Sequence, residues 1–124
     1  MGSHHRGSPA EVAALDAYIK LMRAAESVTQ RAHRDFPEGL TLTQFGVLET
    51  LHHLGPQCSS QLAGKLLKTA GNLTLVIDNL EKQGLVRRDR DPADRRFVTV
   101  SLTPKGSAFI THLFPKVAAS LTRE

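Results

Sequence analysis

The chain has 124 residues, 40% of them hydrophobic, and a formal net charge of +4 at pH 7. This length suits a single domain with a small core and leaves little room for an elaborate catalytic cleft. No apolar run reaches the roughly 18 residues that a membrane span needs, and no secretory leader is visible, so we expect a cytoplasmic protein. The single cysteine, Cys58, excludes an intrachain disulfide framework. The basic charge is compatible with a polyanionic partner.

A long first helix is predicted from Pro9 to about Arg34. Residues 1–8 combine glycine, serine and paired histidines without a helical pattern, so we interpret them as an expression leader and exclude His4 and His5 from any site. Serine followed by proline is a helix-start signal. Apolar residues then recur every three or four positions, as they do on one face of a helix: Val12, Leu15, Ile19, Met22 and Ala25.

A second helix is predicted after a break at residues 36–39, which contain proline and glycine. Thr41 and Gln44 have the spacing of a capping box, and Leu40 and Phe45 have that of a hydrophobic staple. Glycine and proline at positions 55 and 56 end this helix. Its expected core face consists of Phe45, Leu48, Leu51 and Leu54.

Two shorter helices are predicted next. Ser59 and Ser60 are candidate N-caps for the third helix. Thr69 can cap the fourth, which runs to about Gln83 and ends at Gly84. Their apolar positions are Leu62, Leu66 and Leu67 in the third helix and Leu73, Val76, Ile77 and Leu80 in the fourth. The opposite face of the fourth helix contains Gly71, Asn72, Thr74, Leu75, Asp78 and Lys82.

The rest of the chain predicts a β-hairpin and a last helix. Apolar and polar side chains alternate over residues 97–102, which is typical of a strand with one buried face, and residues 85–89 are its expected partner. The turn between them contains Asp-Pro-Ala-Asp at positions 91–94. Thr103 and the proline after it start a fifth helix, which Pro115 restarts or kinks. Its expected apolar positions are Ala108, Ile110 and Leu113.

Positive charge is concentrated around the hairpin turn. Five arginines fall within ten residues there: Arg87, Arg88, Arg90, Arg95 and Arg96. Two short helices followed at once by an arginine-rich hairpin are typical of a DNA-binding domain with a wing. We assign Arg95 and Arg96 to a narrow minor groove. Phosphate contacts are assigned to Lys68, Arg88 and Arg90. A solvated run of ion pairs explains such a hairpin equally well when it is considered alone.

The fourth helix supplies the other half of the predicted site. Thr69, Asn72 and Thr74 lie in its first turns, which contact base edges when a recognition helix enters the major groove. Asparagine can bond adenine in a bidentate manner, and an exposed Leu75 can contact a thymine methyl. The alternatives are that Leu75 is an ordinary surface leucine and that Thr69 serves as the N-cap, which is compatible with a phosphate contact.

Several motifs in this part of the chain resemble the MarR family of transcription regulators. Residues 94–106, Asp-Arg-Arg-Phe-Val-Thr-Val-Ser-Leu-Thr-Pro-Lys-Gly, are similar to the family's wing signature of Asp-x-Arg, a strand and Leu-Thr-x-x-Gly. The segments Gln-Leu-Ala at 61–63, Gly-Asn-Leu-Thr at 71–74 and Leu-Glu-Lys-Gln-Gly-Leu-Val at 80–86 resemble its helix-turn-helix. The resemblance covers roughly residues 42–106.

The resemblance implies a ligand-responsive repressor that binds a pseudopalindromic operator as a homodimer. It places Arg96 in the minor groove and gives Asp94 the role of orienting the wing. The recognition helix is most similar to members that sense phenolic or quinone-like compounds, so the implied effector is a small phenolic or other aromatic molecule. His33 and His112 are candidates to line the ligand pocket that the family has between its dimerisation helices and its DNA-binding lobe. Redox-sensing members have a reactive cysteine in the first helix, where this chain has Tyr18.

The expected fold class is mainly α with a small β-hairpin wing, a winged helix-turn-helix with flanking N- and C-terminal dimerisation helices. We expect the leader over residues 1–8, an N-terminal helix contributing to dimerisation over 9–40 and the winged helix-turn-helix over 41–106. C-terminal helices contributing to dimerisation occupy 107–124 and are interpreted as truncated, because family members continue with a long helix. The large apolar stripes of the first and last helices are a second reason to expect a dimer.

Other classes of function have less support. No phosphate loop, Gly-x-Ser-x-Gly, His-Glu-x-x-His or dinucleotide motif occurs, so we expect neither an enzyme nor a cofactor. His52 and His53 point about 100° apart on a helix and do not form a chelating face with Cys58, so we expect no metal site. Cys58 precedes a helix whose N-terminus lowers a thiol pKa, although a passive thiol is the simpler interpretation. The alternative function is a winged-helix protein-interaction module without specific DNA binding.

Overall fold

The computed structural model describes residues 5–66, 68 and 70–122, within which there are five helices and three short strands. The helices are α1 (Pro9–His33), α2 (Leu42–Leu54), α3 (Ser59–Leu66), α4 (Ala70–Lys82) and α5 (Pro104–Thr122). The strands are β1 (Gln57–Cys58), β2 (Val86–Arg90) and β3 (Val98–Leu102). A mainly helical chain with one small antiparallel sheet confirms the predicted fold class.

The helix boundaries follow from local capping signals. Thr41 Oγ1 accepts a hydrogen bond from the Gln44 backbone N–H at 3.1 Å, and the Gln44 side chain accepts one from the Thr41 N–H at 2.9 Å. This reciprocal pair is the predicted capping box at the start of α2. Gly55 and Gly84 have φ values of 78° and 76°, which favour glycine and end α2 and α4 where the sequence indicates.

The start of α3 differs from the prediction. Ser59 and Ser60 are not N-caps, because both lie inside the helix. The Gln61 side chain accepts a hydrogen bond from the Cys58 backbone N–H at 2.9 Å, which gives Cys58 the N-cap position. Residues 57–58 are extended since they pair with β3, and a strand of two residues has no periodicity to detect. The predicted cap Thr69 and the predicted apolar Leu67 lie outside the described residues.

The three strands form one antiparallel sheet in the order β1-β3-β2. Within the hairpin of β2 and β3, Arg88 pairs with Val100, which is fully buried. The hairpin is therefore confirmed, and β3 is its central strand. We call residues 86–102 the wing. At its end, Thr103 Oγ1 accepts a hydrogen bond from the Gly106 N–H at 3.0 Å and starts α5. A Cβ at Gly106 would lie 1.9 Å from the Leu85 carbonyl oxygen, so only glycine fits there.

The core lies between α2, α3, α4, the sheet and α5. Its buried members are Val47, Leu48, Leu51, Leu62, Leu73, Ile77, Leu80, Leu85, Val86, Val100 and Ile110. The predicted core positions Leu54 and Ala108 are wrong, since both are exposed. Leu54 is the last residue of α2, and Ala108 falls between the buried positions 106 and 110 of α5. Burial of Leu73, Ile77 and Leu80 confirms the apolar stripe predicted for α4.

The two long helices meet at a second, smaller apolar cluster. Ala32 of α1 is buried together with Leu113 and Val117 of α5. The Ser120 hydroxyl also donates a hydrogen bond to the Asp35 carboxylate beyond the end of α1. Of the two predicted effects of Pro115, a restart or a kink, the restart is wrong, because α5 continues through this exposed proline. Among the described residues, no helix combines the length and apolar character needed to cross a membrane.

Candidate nucleic-acid interface

The exposed face of α4 contains the predicted base-contacting residues. Asn72, Thr74 and Leu75 are exposed, and Leu75 keeps 69% of its surface accessible. Packing of the opposite stripe of α4 on the core fixes the rotation of the helix, so Leu75 faces outward with Asn72 and Thr74 on either side of it. Thr69, the fourth predicted major-groove residue, lies outside the described residues.

Hydrogen bonds order the tip of the wing. The Asp91 carboxylate accepts from the Ala93 backbone N–H at 2.8 Å, which is an Asx-type turn. The Asp91 N–H donates to the Phe97 carbonyl at 3.0 Å and closes the loop. Arg90 Nη1 donates to the Arg95 carbonyl at 2.9 Å, so this predicted phosphate contact also supports the turn. The tip therefore projects as a defined loop.

The most exposed charge of the tip is held by a neighbouring carboxylate. Arg96 Nε and Nη2 donate to the two oxygens of Asp94 at 3.0 and 2.8 Å, and the Arg96 backbone N–H donates to Asp94 Oδ1 at 3.1 Å. The Arg96 side chain is 89% exposed. Its guanidinium lowers the pKa of Asp94, and Asp94 in turn raises the pKa of Arg96. The pair is ionised at neutral pH, and its arginine is accessible to solvent at the tip.

Arg88 occupies a different environment from the other arginines of the wing. Its side chain is only 24% exposed. Nη2 lies 2.6 Å from Asp78 Oδ1 and donates to the Thr74 carbonyl at 3.1 Å, while Nη1 donates to Glu81 Oε1 at 3.0 Å. Three of its N–H groups donate to acceptors within the protein, and it is the one arginine among residues 86–102 that is not fully exposed. The structure thus gives no support to the predicted phosphate contact of Arg88.

Two other cations of the predicted site are exposed. Lys68 follows α3 on the surface, and its backbone N–H donates to the Ala63 carbonyl at 3.0 Å. Arg95 is exposed beside Arg96. Sequence reasoning gave no role to Asp78 or Glu81, although position 81 lies one further turn along the face that contains Thr74 and Asp78.

A cavity of about 590 Å³ lies between α3, α4 and the wing. Its lining includes Cys58, Thr74, Arg96 and Phe97. The Ser60 hydroxyl lies 3.2 Å from the Cys58 sulfur, and the hydrogen bond between them lowers the pKa of this thiol. Apolar side chains such as Leu73 and Ile77 form much of the lining, and the cationic groups of Arg88, Arg90 and Arg96 border the space next to the predicted DNA-contacting residues.

The candidate metal ligands do not converge. The His52 and His53 rings are 4.8 Å apart, centroid to centroid, at an interplanar angle of 77°, and both contact the ring of Phe114. Within the described part of the chain, no three His, Cys, Asp or Glu side chains are placed to hold a metal ion.

Comparisons with known proteins agree with this geometry. The model of the MarR family matches residues 40–98. The regulator YkoM of Bacillus subtilis, an uncharacterized helix-turn-helix protein, is 40% identical over 111 residues, which are 89% of this chain and 72% of YkoM. MhqR, a helix-turn-helix transcriptional regulator of the same organism, is 36% identical over 86% of this chain and 74% of its own length. Among solved structures, Bordetella bronchiseptica BpsR has a TM-score of 0.77 at 30% identity and covers 86% of this chain and 80% of its own.

Proposed function

We propose, from the premise that the chain belongs to the MarR family of DNA-binding transcription regulators, that it is a ligand-responsive repressor which binds a pseudopalindromic operator as a homodimer. Membership of this family places the chain among regulators of transcription and not among enzymes. The dimer, the operator and the effector are the parts of the proposal that need experiments.

The observation that carries the proposal is the Asp94–Arg96 pair at the tip of an ordered wing. An arginine held at a projecting tip suits a narrow minor groove, where the negative potential is enhanced. On the same surface, Asn72, Thr74 and Leu75 present short polar and apolar groups at the start of α4. A helix with this face can enter the adjacent major groove and contact base edges.

The homodimer is supported by apolar surface that the single chain leaves exposed. These side chains are Leu15, Tyr18, Leu21, Met22 and Val28 on α1, together with Leu121 on α5. A surface groove of about 820 Å³ lies against Tyr18, Ile19 and Met22. An amphipathic helix that buries little of its apolar face against its own chain suits a symmetric partner. Two-fold symmetry would present the two α4 helices to major grooves about 34 to 36 Å apart.

A small phenolic or other aromatic effector is the proposed signal. Aromatic rings line the junction of α1, α2 and α5: His33 and Phe36 are 4.8 Å apart, Phe36 and Phe45 are 4.9 Å apart, and His53 and Phe114 are 4.7 Å apart. DNA binding of the similar BpsR is regulated by 6-hydroxynicotinic acid, an aromatic acid. An effector at this junction needs only to favour a different separation of the α4 helices, and typical coupling would weaken operator binding about 5- to 150-fold.

Fluorescence anisotropy tests the proposal directly. The protein is titrated against duplexes from the DNA flanking its own gene at several salt concentrations, with random duplex as competitor. We expect tight, competitor-resistant binding that weakens steeply with salt, because several phosphate contacts release counterions. The alternative, a protein-interaction module without specific DNA binding, predicts no preference among the duplexes.

A further inference from the structure

We propose that Arg88 is a positioning residue that fixes the wing against α4, and that it does not contact DNA phosphates. The inference rests on the proposed DNA-binding function, which gives the relative placement of the two elements its importance. The observation behind it is the set of acceptors around one guanidinium at the junction of β2 and α4.

These acceptors come from one stripe of α4. Thr74, Asp78 and Glu81 are spaced i, i+4 and i+7, so they lie above one another along two turns of the helix. Arg88 reaches all three: the Thr74 carbonyl at 3.1 Å, Asp78 at 2.6 Å and Glu81 at 3.0 Å. A planar guanidinium with several donors in fixed directions can hold such a set at one angle. Each bond constrains a different point along the helix.

Glu81 adds a second connection between the two elements. Its Oε2 accepts a hydrogen bond from the Arg88 backbone N–H at 3.2 Å while Oε1 binds the Arg88 side chain. Because β2 is an edge strand, this backbone group faces away from the sheet and would otherwise be available to solvent. The carboxylate therefore fixes both the backbone and the side chain of the strand that leads to the wing tip.

Because two carboxylates surround Arg88, a positioning role and a purely electrostatic role predict opposite changes in operator affinity when these carboxylates are neutralised. Two carboxylates, Asp78 and Glu81, surround one arginine close to the predicted DNA-contacting face. If they acted on DNA only through their charge, neutralising them would strengthen binding to a polyanion, and the released Arg88 would add a phosphate contact. If they position the wing, neutralising them loosens it and weakens operator binding despite the lost negative charge.

The first test uses Asp78→Asn and Glu81→Gln together, with Asp89→Asn as the matched control. Asp89 is also a wing carboxylate paired with an arginine, Arg87, at 3.1 Å, but both members of this pair belong to β2. Anisotropy titrations against operator and random duplex should show operator binding about 10-fold weaker for the double variant, the size of coupling between contacting residues. The control should bind as tightly as wild type or more tightly. Tighter operator binding by the double variant would overturn the inference.

Arg88→Lys is the second test, because it keeps the charge and loses the planar set of donors. A phosphate contact tolerates lysine, whereas one ammonium cannot hold two carboxylates and a carbonyl at these distances. We expect operator affinity to fall about 10-fold, random-duplex affinity to stay within about twofold, and the salt dependence of operator binding to keep its slope. Wild-type operator affinity in Arg88→Lys would contradict a positioning role.

A measurement without DNA separates this inference from the proposed function. Mass spectrometry can follow the hydrogen exchange of residues 86–98. This exchange should be faster in Arg88→Lys and in the double variant than in Asp89→Asn. The buried core of α2 should exchange at the same rate in all three variants. If wild type bound no duplex, the proposed function would fail, and the exchange rates would still decide whether Arg88 holds the wing. Unchanged exchange in both variants would refute the inference.

Discussion

The wing differs from the long helix α1 in whether its side chains find partners within the same chain. In the wing, the guanidiniums of Arg88, Arg90 and Arg96 each have partners within the chain, at distances from 2.6 to 3.1 Å. Along α1, by contrast, Tyr18 and Met22 keep 59% and 52% of their surface exposed. The wing is thus ordered by one chain alone, whereas α1 offers surface that suits a second copy. The predictions that follow probe this difference.

The largest expected effect is on the free energy of unfolding, and it should differ between a core position and an exposed position on α1. Leu62 is fully buried and Leu21 is 69% exposed. Leu62→Ala should lower the free energy of unfolding by about 2 to 5 kcal/mol, because it removes buried apolar volume. Leu21→Ala should change the unfolding of the monomer by less than about 0.5 kcal/mol. Urea denaturation at several protein concentrations measures both free energies. If Leu21→Ala lost as much stability as Leu62→Ala at low protein concentration, the contrast between the core and α1 would be wrong.

A charge on the exposed stripe of α1 tests whether a partner covers it. Met22→Glu should raise the dimer dissociation constant by about 100-fold, since an unpaired carboxylate would be buried in an apolar interface. Ser27→Glu adds the same charge on the opposite side of the helix, about 180° around it from Tyr18, and should leave assembly unchanged. Analytical ultracentrifugation gives both constants. Equal assembly of the two variants would exclude the α1 stripe as the interface.

A smaller effect distinguishes base recognition on α4 from attraction to phosphates. Asn72→Ala should reduce discrimination between operator bases by about 1 to 3 kcal/mol, because a bidentate contact is lost. Lys68→Ala should instead weaken binding to all sequences and lower the salt slope by about one. Titrations against a panel of single-base operator variants compare the two. Retained base preference in Asn72→Ala would remove it from the predicted contacts.

The smallest effect concerns the titration of the wing tip. The Arg96 side chain lowers the pKa of Asp94, so the ordering that this pair contributes is complete above the ordinary pKa of aspartate. It is lost only as the pH falls through the lowered pKa. We expect Arg96→Ala to raise the pKa of Asp94 toward its ordinary value, as followed by carboxyl carbon NMR. An unchanged pKa would show that the pair does not form in solution.

Local signals in the sequence predicted most of the fold. The capping box of Thr41 and Gln44, the stripe of α4 and the alternation of β3 each depend on residues close together in the chain. The failures have non-local causes. Strand β1 exists because residues 57–58 meet β3, about forty residues later in the chain. The helix α5 continues through the exposed Pro115 because Leu113 before it and Val117 after it are both buried against the rest of the chain, which offsets the hydrogen bond that proline removes.

In the candidate site, too, some features depend on neighbouring residues in the sequence and others on packing between elements. The Asp94–Arg96 contact joins residues two apart, within the motif whose resemblance to the family gave Asp94 the role of orienting the wing. The environment of Arg88 depends on Asp78 and Glu81, which belong to another element of the fold. The alternation of β2 places Arg88 on the same face as the buried Val86, but it does not indicate which acceptors of α4 lie within reach of its guanidinium. Assigning roles within an arginine-rich hairpin therefore requires the packing of the hairpin on its neighbour.

The most direct test of the account is operator binding by Arg96→Ala, with Arg87→Ala as a matched arginine of the same wing. Titration against operators with AT-rich and GC-rich flanks should show about 10-fold weaker binding for Arg96→Ala, with the larger loss on the narrow AT-rich grooves. Arg87→Ala should lose less and without preference for the flank. An Arg96→Ala protein that binds both operators as tightly as wild type would contradict the assignment of the wing to DNA.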